Sequence, residues 1–304
     1  MHREITSRAR RRPGLGLCLL VGLSAGLMPA RADPVVDVIT GSLQIGEMDL
    51  ATGAFTPSGS IPSTIQYLAP GPGGSLLTMD FSGSLDSINR TTGAATVIGP
   101  TGFSECPGPA SCGTSSQLSF GSAAGMLYAT DFANNLYTVN PTTGKATLVG
   151  PTGIPALTSA PLSANPDGTI NFYDENLFGA GGKLYANFDT GVLDPTTFTP
   201  TPVISGTLYQ IDPTTGHATA VAPTDFGLIT VANINGVIYG FEGPTNAIVT
   251  LNVANGQTSV VANTDPAVGL IGGAAPAPVP EPGSILLAAL GLVSVCVWRR
   301  KSAG

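Results

Sequence analysis

The chain has 304 residues, of which 40 are Gly and 26 are Pro, and Asp, Glu, Lys and Arg together make only 10%. Ordinary globular proteins carry roughly 25% charged residues, so this balance argues against a helical bundle or an α/β enzyme, and an apolar share of 42% is too high for disorder. The formal charge of −7 hides a sharper asymmetry, because residues 33–278 hold three basic side chains (Arg90, Lys145, Lys183) against seventeen acids, a net charge of −14 that repels nucleic acid and anionic lipid.

The N-terminus is an address. Arg3, Arg8, Arg10, Arg11, Arg12 and Arg31 lie in its first 31 residues, and the stretch Pro13–Ala30 between the last two is uncharged. Ala30-Arg31-Ala32 forms an A-x-A-type cleavage site, so residues 1–32 are expected to be a signal peptide and the mature chain to begin at Asp33. Leu17 precedes Cys18 where a lipoprotein signal needs a small residue, so lipidation is not expected.

The body, 33–274, is a repeat. One unit reads Leu136-Tyr137-Thr138-Val139-Asn140-Pro141-Thr142-Thr143-Gly144-Lys145-Ala146-Thr147 and returns over Leu208–Thr219, with weaker copies over Ile45–Thr56, Leu85–Thr96 and Ile248–Ser259. Apolar residues alternate toward the turn, as in a strand with one buried face. Asp or Asn opens the turn, Gly supplies a positive φ, and Thr-rich β-branched residues resume the second strand. The turn glycines are Gly53, Gly93, Gly144, Gly216 and Gly256.

A second element precedes most copies, as in Gly125-Met126-Leu127-Tyr128-Ala129, Gly182-Lys183-Leu184-Tyr185-Ala186 and Gly236-Val237-Ile238-Tyr239-Gly240. Each repeat thus supplies about four short strands, which matches a β-propeller blade. The predicted fold is all-β, a single propeller of five blades. Asn171–Gly179 fits the unit poorly and leaves a sixth blade open. The first copy lacks an inner strand, and Ala267–Ile271 fills that place and closes the ring. The third element carries an insertion near Thr190–Ser205. Tyr128, Tyr185 and Tyr239 read as core between blades. An open solenoid or sandwich is the structural alternative.

Candidate chemistry is sparse. His217 is the single histidine of the mature chain, and sister repeats hold Ala94 and Lys145 at its position, so it reads as an exposed turn residue. A Ser-His-Asp triad or a histidine zinc site lacks its parts. Cys106 and Cys112 sit in Cys-Pro-Gly-Pro-Ala-Ser-Cys and are expected to form a disulfide in an oxidising compartment.

Asp80, Asp131 and Glu242 fall six residues after the glycine of the second element, and Asp189 falls seven after it. The bland reading is a repeated strand-end acid. The sharper one is a weak Ca²⁺ site, since carboxylates suit hard cations; Asn165, Asp167, Asp174, Glu175 and Asn176 add oxygen ligands nearby. Apart from that calcium, no cofactor is expected. Paired carboxylates also serve glycoside hydrolases, but the body has no Trp to stack a sugar, leaving Tyr67 and Tyr173 as substitutes.

The C-terminus is a second address. Ala275–Pro282 is a Pro-rich linker ending in Pro280-Glu281-Pro282. Residues 283–298 are uncharged, and Arg299-Arg300-Lys301 follow in the tail 299–304. From Pro282 to Trp298 a helix spans about 25 Å, barely enough for a bilayer core. The basic end should stay cytoplasmic.

Residues 279–301 resemble the PEP-CTERM sorting signal, which has this motif, helix and basic end in this order. The resemblance implies processing by exosortase, a transient inner-membrane anchor, and export to the surface or matrix of an exopolysaccharide-producing Gram-negative bacterium. The body is loosely similar to secreted bacterial propellers with Leu-Tyr and Thr-Gly repeats, which implies a fold and no reaction. The expected role is a non-enzymatic binding or scaffold module, with exopolysaccharide or surface proteins as partners and no nucleic acid. The alternatives are a carbohydrate-active hydrolase or lyase using acids alone, and a calcium-dependent adhesin.

Overall fold

The computed structural model describes residues 34–63, 67–80, 83–103, 119–131, 133–154, 170–193, 205–224, 227–243 and 245–276. The predicted signal peptide with Ala30, Ala32 and Asp33, the Cys106–Cys112 pair, the sorting motif Pro280-Glu281-Pro282 and the 283–298 helix lie outside these residues.

Twenty strands build five four-stranded antiparallel sheets. The first sheet, from inside out, is β20 (Leu270–Pro276), β1 (Val35–Thr40), β2 (Gln44–Asp49) and β3 (Phe55–Ser60). The second is β4 (Ala69–Pro70), β5 (Leu76–Met79), β6 (Ser84–Ile88) and β7 (Ala95–Pro100). The third is β8 (Phe120–Ala123), β9 (Met126–Thr130), β10 (Asn135–Val139) and β11 (Ala146–Pro151). The fourth is β12 (Ile170–Ala180), β13 (Lys183–Leu193), β14 (Ser205–Ile211) and β15 (Ala218–Thr224). The fifth is β16 (Leu228–Ile234), β17 (Val237–Glu242), β18 (Ala247–Leu251) and β19 (Thr258–Asn263). The inner strands touch in the order β4, β8, β12, β16, β20 and back to β4, so the ring is closed.

This is a five-bladed β-propeller. No sixth blade forms among the described residues. Asn171–Gly179 is instead the body of β12, paired along its whole length with β13. It fits the repeat poorly because it is an inner strand of 11 residues, with Asp174, Glu175 and Asn176 among its apolar positions. The closing strand pairs with β1 from Thr40–Leu270 to Val36–Pro276. It therefore takes in Ala275 and Pro276, beyond the Ala267–Ile271 stretch expected for it.

The core lies in the five seams between blades. Five clusters of buried apolar side chains fill them, one per seam. Tyr128, Tyr185 and Tyr239 each pack toward the following blade, as the repeat predicted. At the seam closed by β20, Val36, Val38 and Met48 meet Phe241 and Ile248, all fully buried.

The repeated turn follows one hydrogen-bond plan. In the third blade the Gly144 N–H donates to the Asn140 carbonyl at 2.9 Å, while Asn140 Oδ1 accepts from the Thr142 and Thr143 N–H groups. Asp49, Asn89 and Asn252 repeat the glycine bond and accept at Oδ1 from the following residues. Gly144 has φ 78°, a region that favours glycine. Each outer strand also carries a one-residue bulge against its neighbour, at Ser58, Ile98, Val149, Val221 and Val261. Bulges bend an edge away from pairing with another chain, which protects outer strands that carry no charged residue.

The two faces of the ring differ. One carries the five repeated turns and both ends of the described body: Val35 pairs with Asp49, and Pro276 with Val36. The opposite face carries the connections from second to third strand and from blade to blade. The residues 104–118, 155–169 and 194–204 join strand ends on that loop face.

Candidate functional site

Of the four acids predicted as a set, Asp80, Asp131 and Glu242 stand at second-strand ends on the loop face, whereas Asp189 lies four residues before the end of the longer β13, and the four divide into two kinds. Asp80 and Asp131 are turn caps. Asp80 Oδ1 accepts the Ser84 N–H at 2.8 Å. Asp131 accepts from the Ala133 and Asn135 N–H groups, from Asn135 Nδ2 and from the Tyr137 hydroxyl at 2.9 Å. Burial and the bond to Asp131 push the Tyr137 hydroxyl up to about 12. These carboxylates hold the second and third strands of a blade together.

Asp189 and Glu242 are different. Asp189 is fully buried; its Oδ2 accepts from Asn187 Nδ2 at 2.6 Å and from the Leu228 N–H at 2.9 Å, but its Oδ1 has no hydrogen-bond partner. Glu242 is 6% exposed; the Thr245 hydroxyl donates to Oε2 at 2.6 Å, and Oε1 is unpartnered. Both border the seam between the fourth and fifth blades, and Leu228 links them: it bonds Asp189 and stands opposite Glu242 in the β16–β17 register.

The long β12–β13 hairpin concentrates further acids there. Asp174 stands opposite Asp189 across the two strands. Burial pushes the Asp174 carboxyl up to about 7, against the lowering effect of its bonds to Asn176 and the Glu175 backbone. Asp174 is only partly buried by surface area. Asp189 is raised well above the usual carboxylate range, first by burial and then by the charge of Asp174.

Glu175 points to the other side of β12, against the third blade, where the Thr130 hydroxyl donates to Oε1 at 3.1 Å. Burial lifts Glu175 to about 8. The alternation of a strand therefore splits Asp174 and Glu175 between two seams. Asn187 completes the Asp189 side, with Oδ1 accepting from the Thr224 hydroxyl at 3.0 Å. In the second blade Asp86, 4% exposed, is raised by burial and by Asp80.

Among the described residues no three carboxylate, His or Cys side chains group so as to hold a metal ion. Two members of the constellation, Thr130 and Asn187, were not singled out in the sequence. Their signal is positional, since both fall five residues after the glycine of the second element.

The ring axis holds a cavity of about 250 Å³ edged by the inner strands, with Tyr67, Phe120, Asn176, Thr230 and Asn233 in its wall. Asn176 Nδ2 donates to the Leu228 carbonyl at 2.5 Å, and Asn233 Nδ2 to the Gly179 carbonyl at 2.6 Å. Tyr67, named in the sequence as a sugar-stacking substitute, thus faces the axis. His217 is exposed in its turn, as its repeat position required.

Comparison with known proteins adds the sorting tail. Residues 278–301 match the family described as the PEP-CTERM protein-sorting motif. That motif marks an exported protein, processed by exosortase, with a C-terminal membrane anchor that is cleaved. No curated protein matches the sequence. A protein of unknown function from Bacteroides thetaiotaomicron is similar in structure at 15% identity, with a TM-score of 0.47 over 76% of this chain and 55% of that one. This chain therefore spans little more than half the length of that protein. A chain of a nidogen/laminin complex is similar at 12% identity and TM-score 0.40, over 80% of this chain and 98% of that one. The PQQ-bound aldose sugar dehydrogenase of Streptomyces coelicolor is similar at 13% identity and TM-score 0.38, over 70% of this chain and 85% of that one.

Proposed function

We propose that this is a non-enzymatic binding or scaffold module of the cell surface or extracellular matrix, acting through the loop face of its propeller on exopolysaccharide or surface proteins. The observation that carries the reading is the asymmetry of the faces. Five short turns of one design close one side, whereas the segments 104–118, 155–169 and 194–204 all join strand ends on the other. Binding residues concentrate on loops that a rigid scaffold positions. The expected disulfide between Cys106 and Cys112 falls in one of these segments.

The carboxyls fit this reading better than they fit hydrolysis. Glycoside hydrolysis needs two carboxyls flanking one bond. Of the three raised carboxyls, Glu175 points into a different seam from Asp174 and Asp189, and Asp189, which faces Asp174, is fully buried and has no surface to offer a sugar. The test is co-sedimentation of residues 33–278 with the producing strain's exopolysaccharide, while released sugar ends are assayed. Binding without release is expected. Release of sugar ends overturns the non-enzymatic reading.

The unpartnered Asp189 Oδ1 and Glu242 Oε1 favour a second reading, a calcium-dependent adhesin. Calcium would then raise the melting temperature at pH 8, and Asp189→Asn would abolish the rise. An unchanged melting temperature dismisses it.

A further inference from the structure

We infer that, while the chain is anchored, the face carrying the five repeated turns lies against the lipid bilayer and the acid-bearing loop face points away from it. The first ground is the path of the chain. The last inner strand, β20, ends at Pro276 beside Val36, on the turn face. The sorting motif begins at residue 278. Six residues separate Pro276 from the start of the uncharged stretch at Gly283. Even fully extended they span about 20 Å.

That tether leaves from next to the ring axis, not from the rim. To bring the loop face to the membrane it would have to run the height of β20, about 23 Å at 3.3 Å per residue, and then around the outer strands. It is too short for that path. The turn face is the one the tether lets approach the lipid.

Charge is the second, independent ground. All three basic residues of the body sit at the turn face: Arg90 and Lys145 in repeated turns, and Lys183 at the first residue of β13. Arg90 is committed to Asp37 of the first blade, whereas Lys145 and Lys183 are exposed. Glu47, Asp49 and Asp212 offset these two lysines, so this face carries both signs of charge. At the loop face stand Asp80, Asp131, Glu242 and Asp265, with Asp174 and Asp189 inside the strands behind them, and among the described residues no Lys or Arg stands there. A bilayer with anionic headgroups therefore repels the loop face and tolerates the turn face. The same arrangement leaves the loop face open to a large partner on the side away from the membrane.

The test uses the full chain reconstituted into phosphatidylethanolamine–phosphatidylglycerol vesicles, and an impermeant amine reagent read by mass spectrometry at each lysine. Lys145 and Lys183 report the turn face. The variant Ala133→Lys adds a reporter at an exposed loop-face position. Labelling of Lys145 and Lys183 is expected to slow at least threefold in vesicles relative to the same chain in detergent, while Lys introduced at 133 labels at an unchanged rate. Slowing at 133 with Lys145 and Lys183 unchanged overturns the inference, as does equal slowing at all three. The readout needs no ligand, so its failure leaves the binding reading of the loop face intact.

Discussion

Gly144 of the third blade packs against the backbone of Gly99 in the second, and a Cβ on either residue would collide with the other segment. The same contact recurs at every seam: Gly93 on Ser60, Gly216 on Gly150, Gly256 on Pro223 and Gly53 on Asn263. The last of these joins the first blade to the fifth. The turn glycine is therefore needed twice, for its positive φ and for the approach of two blades.

The two needs separate in a pair of variants. Gly144→Ala meets both. Gly125→Ala meets only the first, since Gly125 has φ 79° and open space where a Cβ would go. An alanine in left-handed conformation costs roughly 1–2 kcal/mol. Gly125→Ala is expected to fall in that range, and Gly144→Ala to exceed it by about 2 kcal/mol or more, by analogy with overpacking in a core. Urea denaturation of both variants measures the difference. Equal losses would mean that φ alone fixes the glycine.

This double role marks where the sequence stops being readable. The periodicity of the turns and of the Leu-Tyr element pointed to five blades while leaving a sixth open, because local spacing shows in one dimension. The close approach of Gly144 to Gly99 leaves no such trace, since it depends on how neighbouring sheets cross. The strand-end acids were legible as a set, but their division was not. Asp131 is capped by Asn135 and Tyr137 within its own hairpin, whereas Asp189 depends on Leu228 of the next blade. The poor fit of Asn171–Gly179 was real, and its cause is a polar inner strand, not an extra blade.

Arg90 of the second blade forms an ion pair with Asp37 of the first, and its Nη2 donates to the Gly74 carbonyl at 3.1 Å. Asp37 is 2% exposed. Removing one partner of a buried pair leaves an uncompensated charge and costs about 3–5 kcal/mol. Arg90→Met should lose about that much stability. The double variant Arg90→Met with Asp37→Leu should recover most of it, because both charges are gone. A double-mutant cycle by urea unfolding checks this, and additive losses would show that the pair is not coupled.

The raised carboxyls set a pH dependence. Glu175, Asp174 and Asp189 hold protons in the fold at pH values where the unfolded chain has released them. The folded state therefore binds more protons, and stability falls as pH rises. The window opens near pH 4, the ordinary carboxyl range, and closes near pH 8, the value for Glu175. The melting temperature should be higher at pH 5 than at pH 8. Glu175→Gln, which keeps an acceptor for the Thr130 hydroxyl, should flatten part of the slope. A melting temperature that rises toward pH 8 would contradict the sign.

Closure by β20 makes the last prediction. Without Leu270–Pro276, β1 becomes an unprotected inner edge, and the seam where Phe241 meets Val38 opens to the axis. Every hairpin would survive, because each turn is closed by its own hydrogen bonds. What is lost is the cyclic constraint that couples the first blade to the fifth, and free sheet edges invite pairing with other chains. A chain ending at residue 268 should therefore aggregate and lose a single cooperative transition, whereas one ending at 277 should melt sharply as a monomer. Adding a synthetic peptide of residues 269–277 to the shorter chain should restore part of the transition, since the β1 edge offers its register. Calorimetry with light scattering distinguishes the two chains, and equal melting of both would place closure outside the cooperative unit.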